Sequence, residues 1–151
     1  MSMENQYASI DLFMPATIHE MASTTLVKQA GAGQRAAFDR QIDLWWFGFV
    51  LGLRTSERLR LADLPHKPVK FNVGQILQGE PWRITLIELA AIGKEGFEII
   101  GSPKSVMDFA AEHAYAGLAR IEAATRGEEE PLLRLFTDLY DLVALEGESG
   151  L

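Results

Sequence analysis

The sequence contains no cysteine. That excludes disulfides, thiolate metal ligands and a cysteine nucleophile together. It is compatible with a reducing compartment. A membrane-length apolar run is missing from its most hydrophobic region. In DLWWFGFVLGLR, the uncharged run Leu44 to Leu53 is ten residues, and a spanning helix takes about 20. Positive charge is scarce at the start. MSMENQYASIDLF carries Glu4 and no basic residue, so it lacks the n-region of a secretory signal and a cytoplasmic location is expected. Metal spacing is missing as well. His19-Glu20 has no second histidine three residues on, as a zinc-protease helix requires. No metal ligand set, cofactor motif or catalytic residue is assigned.

What is present is an acidic chain of 151 residues with net charge −7 and a hydrophobic fraction of 48%. That length suits one domain with its own core. The charge is uneven. Residues 54–83 carry a net +3, and residues 122–151 a net −6. A globally acidic surface repels phosphates, so only the first of these segments suits nucleic-acid contact. The acidic end reads as a solvated helix face or a seat for a basic partner.

Periodicity predicts a mainly α protein, a compact bundle of about four principal helices with a possible small β-hairpin. Its domain is expected to cover 1–151, with an irregular segment over 1–35 and a flexible tail over 146–151. Ile10, Leu12 and Met14 alternate and suggest an extended piece ending at Pro15. His19 to Val27 suits either a short helix or a strand. Gly31-Ala32-Gly33 breaks the chain, and QAGAGQR around it reads as a connector, since no Lys-Ser/Thr follows to make a phosphate loop. A helix is expected from about Ala36 to Leu53, because Phe38, Ile42, Trp45, Phe49 and Leu53 share one face. Thr55 to Lys70 reads as a loop, and Val69, Phe71 and Val73 as a short strand. Pro81 opens a helix to about Ile92. Phe97 to Ile100 suggests a further strand. Ser102-Pro103 starts a helix to about Thr125, and Pro131 starts a last one.

Three groups of residues are candidate sites. Leu44, Phe47 and Leu51 form a second apolar stripe on the DLWWFGFVLGLR helix. A helix apolar on two faces is central in its bundle or covered by another chain, so these three are candidates for partner binding or self-association. Gly48 and Gly52 share a face and let another helix backbone come close. Arg54, Arg58, Arg60, Lys67 and Lys70 form a basic loop that can meet DNA phosphates, although no aromatics interleave to stack on bases. Trp45, Trp46 and Trp82 can line a ligand pocket, or fill space in a core. Arg83 and Glu88 sit on an otherwise apolar helix and suit polar contacts across it, with one expected to face solvent. His113 falls on the apolar face of its helix and is expected to be buried and hydrogen-bonded.

Three segments together carry a resemblance. They are the helix ending LGLR, the helix WRITLIELAAIG, and SPKSVMDFAAEHAYAGLARI with its Glu112 and Ala116-Gly117. Over about Phe38 to Ile121 the chain resembles small accessory proteins found beside bacterial Dnd-type DNA phosphorothioation and related phage-defence systems. The resemblance implies a defence-associated accessory protein that acts through protein contacts, near DNA, and it brings no catalytic residues with it. The expected function is therefore a non-enzymatic interaction module or homo-oligomer of a bacterial cytoplasmic system. The alternatives are a nucleic-acid-contacting subunit using the basic loop, and a small ligand-binding domain or enzyme.

Overall fold

The computed structural model describes residues 5–27 and 38–126, together with Arg134, Thr137, Leu139 and Tyr140. The protein is mainly α. Its elements are β1 (Asp11–Met14), α1 (Ala16–Met21), α2 (Gln41–Arg54), β2 (Val69–Val73), α3 (Pro81–Glu95) and α4 (Pro103–Thr125). α4 is the centre, packing against α2, α1, α3 and β1.

α4 begins where its sequence says it should. Ser102 Oγ accepts the Ser105 N–H at 3.3 Å, and Pro103 occupies the first turn. Val106, Phe109, Ala110, His113, Gly117 and Ile121 then recur on one buried face. Small residues on it let α2 lie almost on its backbone. A Cβ at Gly52 would collide with the His113 carbonyl, and one at Gly117 with the Gly48 carbonyl. A Cβ at Gly48 would come within 2.7 Å of Leu118 Cγ. The two helices are locked at that distance by glycines on both sides.

The strands foreseen at the N-terminus and at Val69–Val73 pair with each other, antiparallel, as the small sheet. They are far apart in sequence, so tertiary packing joins them and no tight turn does. The register slips between Leu12 and Phe13, which face Asn72 and Lys70, and leaves Phe71 as the extra residue of a bulge. Gly74 follows β2 against the backbone of Tyr7, where a Cβ has no room.

Several boundaries differ from the sequence reading. The described part of the segment read as irregular is ordered, holding β1, α1 and a π-helical turn over Ala22–Leu26. The helix reading of His19 onward holds because Ile18, Ala22 and Leu26 turn inward. α2 begins at Gln41, since Arg40 is extended (φ −134°, ψ 155°). Phe38 instead makes an isolated bridge with Val27 and donates its N–H to Leu26. Phe97–Gly101 is a 3₁₀ turn and not a strand, because Gly96 reverses the chain at φ 96° directly before it. The connector Gln29–Arg35 and the tail 146–151 lie outside the described residues. So does most of the helix read from Pro131, of which Arg134, Thr137, Leu139 and Tyr140 are helical and Leu139 packs on the core.

Candidate interaction surface

At the start of α3 a compact polar corner joins it to α2. Glu80 precedes the helix and Arg83 sits in its first turn, beside Asp43 in the first turn of α2. Arg83 is buried, with 8% of its surface exposed, and donates from Nη2 to Asp43 Oδ1 at 2.9 Å. Arg40 donates to Asp43 Oδ1 at 3.0 Å and to Glu80 Oε1 at 2.5 Å. Burial by itself raises the Asp43 carboxyl, but Arg40 and Arg83 outweigh it and hold its pKa below the ordinary value. The Arg83 guanidinium lies 5.3 Å from the Trp46 ring centre and 5.4 Å from that of Trp82, inside cation–π range. The two indoles meet edge to face at 5.4 Å. Arg83 Nε and Nη1 and Glu80 Oε2 are buried without a protein partner.

Beyond that corner, α3 buries Ile87 and Ala91 on its inner side and is apolar on its outer side as well. Its outer side carries Trp82, Leu86 and Leu89, which are 52%, 47% and 60% exposed. Thr85 and Gly93 are exposed with them. At about 100° per residue these five positions fall in one sector of about 100°, and no charged side chain falls in it. The helix's charges go elsewhere. Arg83 faces Asp43, Glu88 accepts a bond from the Tyr7 hydroxyl at 3.1 Å, Glu95 is paired with Arg58, and Lys94 is exposed outside that sector. Burial, and then Glu88, push the Tyr7 hydroxyl up to about 12. A solvent-facing helix ordinarily carries charged and polar residues on its outer side.

A second polar junction lies at the far end of α3. Arg58 binds Glu95 and donates from Nη2 to Glu112 at 2.6 Å, and it stands 5.3 Å over the Phe109 ring. His113, on the next position of α4, is buried and bonds through Nδ1 to the Glu57 carbonyl at 2.7 Å. Burial lowers its pKa, and the charges of Arg58 and Lys94 add to that. Glu112 and His113 thus serve different neighbours, as their adjacency on a helix implies.

The residues singled out by sequence are distributed as follows. Leu44 and Leu51 are buried in the chain's own core, and only Phe47 of that stripe keeps some exposure, its ring 5.5 Å from Phe38. Trp45 is fully buried and stacks on Phe49, whereas Trp46 and Trp82 meet at the Arg83 corner. In the basic loop, Arg58 is held by two carboxylates and Lys70 pairs with Asp11 at 3.0 Å. Arg54, Arg60 and Lys67 are exposed. Arg83 and Glu88 both make contacts across elements, so neither is the solvent-facing member that was expected. Among the described residues no group of three His, Asp or Glu side chains suits a metal ion, and no helix is long and apolar enough to cross a membrane.

Sequence reasoning missed Leu86 and Leu89. The signal was available: WRITLIELAAIG is apolar on both faces, as DLWWFGFVLGLR is, and the same two-face argument applies to it. Comparison with protein-family models, curated proteins and solved structures finds no match to this chain.

Proposed function

We propose that this chain is an interaction module, not an enzyme, that docks another protein molecule through the outer face of α3. One observation carries the reading: the outward sector of α3 holds Trp82, Leu86 and Leu89 and no charge, while Arg83, Glu88 and Glu95 are engaged within the fold and the exposed Lys94 lies outside the sector. Contiguous exposed apolar surface of this kind marks contact sites. Tryptophan and arginine are also the residue types that dominate interface energetics, and the stripe starts at Trp82 beside Arg83. The overall charge of −7 disfavours anionic lipid and nucleic acid as the occupant. The partner-binding role expected of Leu44, Phe47 and Leu51 moves to α3 in this reading, because two of the three are already covered.

The setting, a bacterial anti-phage system, rests on the resemblance over Phe38 to Ile121. The genes beside this one test it: a defence operon supports the setting, and a metabolic operon removes it. The docking reading is tested by a photo-crosslinking amino acid at Leu89 in cells of the native host. An adduct is expected from Leu89 and none from Lys104, which is exposed on α4. Absence of any adduct at Leu89 overturns the reading.

A further inference from the structure

The α3 face has a symmetry of its own. Leu86 and Leu89 lie at equal distances on either side of the point on the helix between Ile87 and Glu88. Trp82 and Gly93 lie at equal, larger distances from the same point. One is the bulkiest side chain on the face. The other has no side chain, and a Cβ built there meets nothing within 4 Å.

We propose that the occupant of this face is a second copy of the chain, with the two α3 helices antiparallel about a two-fold axis through that point. This rests on the docking reading above and names its partner. Leu86 of each copy then packs on Leu89 of the other, and Trp82 lies over the recess at Gly93. Two-fold pairing puts the same surface of both molecules in contact. Like charges would therefore meet like charges, and each copy already carries −7. A face with no charged side chain removes that repulsion at the contact. Within the sector it also leaves no charge for a partner to recognise: Glu80, Glu88 and Glu95 beside it are bonded to Arg40, Tyr7 and Arg58, and Lys94 lies on a different side of the helix. What remains is selection by shape, and the complementary shape is present on the same helix. α3 is 15 residues long, about 22 Å. Two such faces bury less than the ~1,600 Å² of a standard interface, so dissociation on the order of micromolar or weaker is expected.

Sedimentation of the wild-type chain over a concentration series is the first test. A monomer–dimer equilibrium is expected, and Gly93→Trp, which fills the recess without touching the fold, is expected to weaken it about tenfold or more. Helical circular dichroism checks that this variant stays folded. The absence of native cysteine makes the register readable by engineered thiols. A mixture of Trp82→Cys and Gly93→Cys chains should form a disulfide-linked pair under mild oxidation. Trp82→Cys alone should not, since its two copies would stand about 16 Å apart along the axis. A wild-type chain monomeric at every concentration overturns the self-pairing. So does linkage of Trp82→Cys to itself in preference to the mixture. If the Leu89 adduct in cells then contains a different polypeptide, docking stands and self-pairing fails. If no adduct forms, both fail.

Discussion

The seam between α2 and α4 and the outer face of α3 are built from similar residue types to opposite ends. At the seam, Gly48, Gly52 and Gly117 remove side chains so that two backbones touch, and Trp45, Phe49 and Leu118 close the space beside them. On α3, Trp82, Leu86 and Leu89 stand out from the fold, and Gly93 leaves an open recess. The same amino acid is a close-packing device in one place and a vacancy in the other. Composition cannot separate these uses. What separates them is whether another element of the same chain arrives opposite.

One substitution made in both places separates the two uses of glycine by the largest margin. Gly117→Ala should destabilise the fold by about 2–3 kcal/mol, because the new methyl overlaps the Gly48 backbone and α2 must move away. Gly93→Ala should stabilise it by about 0.5–1 kcal/mol, since the helix gains propensity and nothing is displaced. Chemical denaturation measures both, and equal signs would dissolve the distinction. Arg83→Ala comes next. It removes the buried partner of Asp43 and the cation between two indoles, at a cost of about 1–3 kcal/mol, with a change in tryptophan emission. Asp43 keeps Arg40, which limits the loss.

His113 sharpens the seam side through pH. Its folded pKa lies below the ordinary 6.5, so the folded state binds fewer protons than the unfolded one in that range. Its contribution to stability is full above 6.5. It is lost as pH falls below that value and through the lowered folded one. Burial sets this sign and the charges of Arg58 and Lys94 add to it, outweighing the backbone groups of Glu57 and Gly52, which favour the protonated ring. His113→Asn should flatten the stability profile in that window, as followed by thermal melts across pH. The smallest stability effect belongs to α3. Leu86→Ser and Leu89→Ser should each shift stability by no more than about 0.5 kcal/mol, because each is about half exposed or more and neither packs on the core cluster. An effect of core size at either position would place it inside the fold and remove it from the docking face.

Much of the framework was legible in local signals. Ser102-Pro103 marked the start of α4 because a hydroxyl acceptor and a proline answer the unpaired N–H groups of a first turn. Gly48 and Gly52 announced a close helix crossing through spacing alone. The alternation in Ile10–Met14 and Val69–Val73 marked both strands, yet it said nothing of their pairing, which spans α1 and α2. The candidate sites were less legible. Leu44 and Leu51 looked like spare surface because a stripe does not show how many neighbours its helix has. One of Arg83 and Glu88 was expected to face solvent because their partners, Asp43 and Tyr7, sit far away in sequence.

Residue type and spacing alone specify the mainly helical class, the ends of α4 and the glycine face that permits tight packing. These depend on contacts within one or two turns, where residue type and spacing are sufficient. The tertiary structure alone decided which of two apolar faces each helix buries. It also decided which charges find partners inside the fold, and it left α3 with Trp82, Leu86 and Leu89 outward and Arg83 buried against Asp43. Those outcomes depend on segments separated by tens of residues arriving opposite one another, and no local pattern encodes that meeting.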